Sequence, residues 1–133
     1  MANEAVCIEA PRIIKRYSVV NGTAIAKGTI LKLSGADLYA DASAADGDLF
    51  AGIAVEEKTA SDTITNIGAA IDGVWDIKCN AGVGITLGGI CSLSGANLIK
   101  QAEAGDLLNG AAFGKVLETA ATNEVVRVRL GLI

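Results

Sequence analysis

The chain has 133 residues, eleven basic and fifteen acidic side chains, a formal net charge of -4, and no histidine. That composition excludes a histidine general base, a Ser-His-Asp or Cys-His pair and any histidine-ligated zinc, and its acidic balance argues against a general nucleic-acid partner. The length suits one domain, and sixteen Gly beside one Pro, two Phe, two Tyr and one Trp describe tightly turned β-structure with small side chains.

Taken in chain order, Val6–Glu9 reads as a short strand before Pro11 and Ile13–Val20 as the next, ended by the Asn21-Gly22 turn. Glu4 and Glu9 stand where a signal peptide needs an uncharged apolar run, so no export signal is expected. Segment 25–38, IAKGTILKLSGADL, then returns at 85–98 as ITLGGICSLSGANL, with eight of fourteen positions identical at an offset of 60. Ser34-Gly35 and Ser94-Gly95 supply the turns, which predicts hairpins pairing 29–33 with 37–40 and 89–93 with 97–100. Gly52-Ile-Ala-Val-Glu56 likewise faces Gly114-Lys-Val-Leu-Glu118 at an offset of 62.

Further strands are expected at Phe50–Glu57, Thr63–Ile67, Ala70–Lys78, Ala112–Glu118 and Glu124–Leu132. In the last, Val126, Val128 and Leu130 alternate with Arg127 and Arg129, which implies one buried and one wet face. Ala40–Ala45 and Gln101–Leu108 are too short for stable helices and read as single turns or loops. The pattern predicts an all-β fold, a small β-barrel or β-sandwich built from two pseudo-symmetric repeats, about 25–67 and 85–128. Each repeat would supply half of it. An extended arm, residues 1–16, precedes the single β-domain, residues 17–133.

Candidate chemistry falls away on inspection. Cys7, Cys79 and Cys91 are odd in number and never at CxxC spacing, so each reads as a small buried hydrophobe in a reducing compartment. Asp41, Asp46 and Asp48 lack the alternating ligands and closing acid of a calcium loop and read as a solvated acidic loop. Gly82, Gly84 and Gly88 miss the GxGxxG spacing of a phosphate loop, and no helix pattern follows. Glu56 and Glu57 point to opposite strand faces, and nothing selects Asp72 and Asp76 for acid/base work. Lys78 and Lys100 are equally unsupported as amine nucleophiles. Cys79–Ile99 is uncharged, but its five glycines describe turned strands rather than a membrane span. No enzyme activity, metal, cofactor or membrane partner is expected. Arg12, Lys15 and Arg16 read as a solvated strand face.

Segment 24–57, AIAKGTILKLSGADLYADASAADGDLFAGIAVEE, resembles the core signature of the capsid decoration (cement, or head-stabilising) proteins of tailed bacteriophages. Gly28–Leu33, Ser34–Asp37, Ala40–Ala45, Gly52–Ala54, Gly73–Trp75, Gly88–Leu93 and the 111–120 segment AAFGKVLETA carry the resemblance, which covers about residues 17–132. It implies a homotrimer, made in the bacterial cytoplasm and resident on the capsid exterior. There it would bridge neighbouring subunits of the phage major capsid protein. Another β-rich virion component, a tail-tube or head-fibre base subunit, is the alternative. Residues 1–16 match the variable arm of that family. Val6, Ile8, Pro11, Arg12, Ile14 and Arg16 are its candidate contacts with capsid or neighbour, through β-augmentation. The arm serves equally well as the first strand of the chain's own barrel.

Overall fold

Short β-branched and alanine-rich segments, cut by glycine turns, pair into two sheets. The structure is a computed structural model that describes residues 3–80, 82 and 84–131. In chain order the strands are β1 (Val6–Glu9), β2 (Ile14–Ser18), β3 (Ile30–Leu33), β4 (Ala40–Ala42), β5 (Phe50–Ala54), β6 (Asn66–Ala70), β7 (Val74–Cys79), β8 (Ile90–Gly95) and β9 (Leu98–Gln101). Helix α1 (Ala104–Asn109) follows, then β10 (Ala112–Val116) and β11 (Val125–Leu130). The fold is all-β, as the glycine-punctuated alternation predicts, with 46% strand and 5% helix.

The N-terminal sheet runs β2-β6-β5-β3-β4. Its two edges approach each other at the parallel bridge Ser18↔Tyr39. The C-terminal sheet runs β7-β11-β10-β8-β9 and closes as a five-stranded barrel, because β9 returns parallel to β7 at Lys78↔Leu98 and Cys79↔Ile99. Strand β1 is added outside β7. Several main-chain hydrogen bonds occupy matching places in the two sheets. Gly28 donates to Ala54 and Gly88 to Val116, at 2.8 and 2.9 Å; Lys58 donates to Ile25 and Ala120 to Ile85, at 2.8 and 2.9 Å. Segments 25–38 and 85–98 therefore lie in different sheets, rather than as two halves of one barrel. Each needs its own hydrogen-bonded neighbours.

Three segments depart from their expected state. Ala40–Ala42 is a strand, not a turn, because it closes the β3 hairpin through Leu31↔Ala42 and Leu33↔Ala40. Residues 104–109 form a helix despite their shortness. Asp106 accepts the Glu103 N–H at 2.9 Å, and Gly110 ends the helix in the left-handed region at φ 80°. Strand β6 lies three residues beyond the expected Thr63–Ile67. The small side chains of 68–70 let β5 approach, and a Cβ on Gly52 would stand 2.7 Å from the Ala69 Cβ.

Two apolar clusters fill the molecule. One lies inside the N-terminal sheet around Tyr17, Val19, Leu31 and Ile67. The other fills the barrel around Ile77, Leu93, Val116 and Val128, and it also takes in Ile30, Ile53 and Ala70 from the N-terminal sheet. Those three are cross-strand partners in one row, Ile30↔Ile53↔Ala70, and all are 0% exposed. Burying each isoleucine contributes about 1.5–3 kcal/mol, so the barrel holds the sheet by a continuous apolar contact. Phe50 stacks on Phe113 across the same junction, with centroids 4.1 Å apart and an interplanar angle of 8°.

Candidate functional site

The residues expected to touch a neighbour lie along the N-terminal arm, which is docked on its own chain. Strand β1 pairs antiparallel with β7, Val6 opposite Asp76 and Cys7 opposite Trp75. Glu9 faces Val74, so Ile8 is an extra residue in a bulge. Ala5 is buried against the barrel core, and its N–H donates to Gly28 O at 2.8 Å. Gly28 has φ +89°, and a Cβ there would stand 2.6 Å from Ala5 O, so only glycine admits the arm. At the corner after Pro11, the Arg12 and Ile13 N–H groups both donate to Asp72 Oδ1, at 2.9 and 3.0 Å.

Six candidate contact residues are thus placed in two settings. Val6 and Ile8 stand exposed on the barrel edge, while Ile14 and Arg16 stand exposed on β2 of the other sheet. Pro11 is half-buried at the corner between them and Arg12 is exposed. Arg16 is engaged sideways, with Nη2 at 2.9 Å from Glu56 and Nε donating to Asn66 Oδ1 at 3.0 Å. The outer edge of β1 is what the arm presents. Strand β2 contributes from its place beside β6, so residues 14–16 belong to the N-terminal sheet as well as to the arm.

A second surface was not marked by the sequence. The β3–β4 hairpin exposes Leu33, Leu38 and Tyr39, whereas Leu93 and Ile99 in the β8–β9 hairpin are fully buried. On the barrel, Ile90, Lys115 and Arg129 form a cross-strand row that is only half-buried. A shallow groove lined by Ile90, Gln101, Ala102, Glu103, Ala104 and Leu107 opens beside it. In the row itself, Arg129 Nε is buried without a hydrogen-bond partner among the described residues. The signal available in the sequence was the divergence of the repeats, since apolar Ile53 aligns with Lys115.

The charged groups serve structure. Lys100 Nζ stands 2.6 Å from Asp46 and 3.8 Å from Asp106, tying the loop after β4 to the barrel and to α1. The hydrogen bond that Lys100 donates to Asp46 raises the Lys100 pKa. Hydrogen bonds from the Glu103 backbone and the Ser92 hydroxyl, with the nearby ammonium of Lys100, hold Asp106 below the usual carboxylate range. The acidic loop is thus partly engaged rather than freely solvated, for Asp48 Oδ2 also accepts the Ala44 and Ala45 N–H groups at 2.8 Å. Asp72 is turned to the arm and Asp76 to Arg127 Nε at 3.0 Å, so they form no catalytic pair. Glu56 accepts the Gly68 N–H at 2.7 Å. Cys91 is buried, and burial pushes its thiol up to about 12, far from a reactive thiolate. Cys79 is buried too, but Cys7 is exposed on the edge strand, against expectation. Among the described residues no three His, Cys, Asp or Glu side chains converge on a metal position, and no helix is long and apolar enough to cross a membrane.

No protein-family model matches the sequence, and no curated protein matches it. Among solved structures, the fold is similar to the head fiber gp8.5 N base of bacteriophage phi29. The TM-score is 0.56 at 17% identity, over 90% of this chain and 95% of that one.

Proposed function

We propose that the chain is a structural protein of a phage virion, bound as a homotrimer to the major capsid protein on the outside of the head. The observation that carries the reading is the fold likeness to a phage head-fibre base along nearly the whole of both chains. The exposed apolar edge of β1 supports it, because an unpaired strand edge is a template for another chain. So does the use of the charged groups, which tie elements together instead of gathering in a cleft. In this reading the arm and its neighbours clamp adjacent capsid subunits, and stiffness is the useful property.

A head-fibre base is the second reading, favoured by the same likeness. One experiment separates the two. Purified protein is mixed with expanded heads that lack it, and the heads are pelleted, imaged and heated. A decoration protein fills the repeated sites over the whole shell and raises the temperature at which heads release DNA. A fibre base binds without raising that temperature. Failure to co-sediment with expanded heads defeats both.

A further inference from the structure

We infer that a second copy of this chain docks on the barrel row Ile90–Lys115–Arg129 through the tip of its β3–β4 hairpin, repeating between chains a joint that the molecule already makes within itself. The internal joint is fully visible. The N-terminal sheet presents the row Ile30–Ile53–Ala70, and the barrel covers it. The tip of the β8–β9 hairpin locks the contact. Asn97 Oδ1 accepts the Ile30 N–H at 2.8 Å, and the Asn97 N–H donates to Ser43 Oγ at 3.1 Å. Beside it Gly47 donates to Leu93 O at 3.1 Å.

The row and the hairpin of that joint each have a counterpart, although the β3–β4 tip is a longer loop, with Leu33 opposite Ala40, and its Leu38 O accepts the Ser18 N–H at 2.9 Å. The barrel row Ile90–Lys115–Arg129 occupies the place of Ile30–Ile53–Ala70, because Ile90 pairs with Lys115 and Lys115 with Arg129 as Ile30 pairs with Ile53 and Ile53 with Ala70. Ser43 donates to Ile30 O as Ala102 donates to Ile90 O, both at 2.8 Å. The groove lined by Ile90 and Ala102 therefore lies where Asn97 sits on the other sheet. The counterpart of the β8–β9 tip is the β3–β4 tip, with Asp37 and Leu38 at its end. There Leu38 is 63% exposed and Leu33 44%, although Leu93 in the covered hairpin is 0%.

The differences between the two joints are complementary. Asn97, a neutral residue, is bound at Ile30, the first member of an apolar row. In the open joint the tip carries Asp37, the row carries Lys115 and Arg129, and Glu103 lines the far side of the groove. An acidic tip meets a basic row, flanked by Leu38 on one side and Ile90 and Leu107 on the other. The contact is head-to-tail, since tip and row are different surfaces of each copy. Such a contact runs from copy to copy until its rotation closes a ring.

The test uses the full chain and needs no head. Sedimentation velocity across a concentration series gives the mass of the wild type, of Leu38→Asp, of Lys115→Glu and of Asp37→Lys paired with Lys115→Glu. Thermal melts verify folding; Asp37 and Leu38 are exposed and Lys115 is half-buried. The expected result is a multimer for the wild type, a rise of about tenfold or more in the dissociation constant for each single variant, and partial recovery in the charge-swapped double variant. A wild type that stays monomeric throughout, or a multimer indifferent to Leu38→Asp and Lys115→Glu, overturns the inference. Head binding is scored separately. A multimer that breaks as expected yet ignores expanded heads supports the joint and removes the virion reading. An unaffected multimer that binds heads does the reverse.

Discussion

At the scale of single residues, polar side chains are spent on joining elements. Lys100 reaches Asp46 from the N-terminal half and Asp106 on α1. Because Asp106 is held low, the folded chain binds fewer protons there than the unfolded chain does. The stability it adds is in place above the ordinary Asp value of about 3.9 and is lost as pH falls through the lower folded value. Melting temperature should therefore fall as pH drops below about 4. Asp106→Asn should start lower at neutral pH and fall less on acidification; parallel curves for variant and wild type would refute the assignment. Such couplings were not legible in the sequence. Asp37 and Asn97 look there like one turn residue written twice. The structure buries Asn97 completely and leaves Asp37 exposed, since only the second hairpin finds a sheet to rest on. Lys58 is similar. A lysine is expected in solvent, yet Lys58 is 1% exposed, with Nζ donating to Thr59 O at 3.3 Å and 3.4 Å from Asp62.

At the scale of elements, legibility followed how local the cause was. The residues of β1 are those expected, because Pro11 bounds the strand and the pattern is self-contained. The Ser94-Gly95 hairpin lies close to the expected 89–93 with 97–100, whereas in the Ser34-Gly35 hairpin the second strand is Ala40–Ala42 instead of 37–40. Strand β6 was misplaced because β-branched Thr63–Ile67 looks more strand-like than Gly68-Ala69-Ala70, and what selects the latter is the close approach of β5. The arm could be read either as a free strand or as an own-chain strand, and it takes the second state, on β7. Its anchors are few: four β1 residues, all exposed, with one buried alanine and two N–H groups on Asp72. Deleting residues 1–11 should leave the far-UV dichroism of the sheets intact and lower the melting temperature by roughly 4–8 °C, at about 4 °C per kcal/mol for a domain of this size. Binding to expanded heads should weaken when the shortened chain is compared with the full one. A shortened chain that fails to fold would make β1 an obligatory strand of the barrel.

At the scale of the whole molecule, the question is whether the two sheets stand or fall together. Each has its own interior, yet the row Ile30–Ile53–Ala70 belongs to the barrel's apolar cluster, and Phe50 and Phe113 stack across the junction. Unfolding either sheet alone would expose that row or leave the barrel without its cover, so the two should unfold as one unit. Ile53→Ala tests this. Ile53 lies in the N-terminal sheet, and Trp75, the chain's one tryptophan, lies in the barrel. Truncating a fully buried isoleucine costs about 2–5 kcal/mol. In urea, Trp75 fluorescence and far-UV dichroism should move to the same lower midpoint, although the substitution and the fluorophore sit in different sheets. A dichroism midpoint that falls while the Trp75 midpoint stays would mean that the sheets are separate folding units. The junction would then be a docking contact, and the stiffness proposed for the virion would have to come from the partner instead.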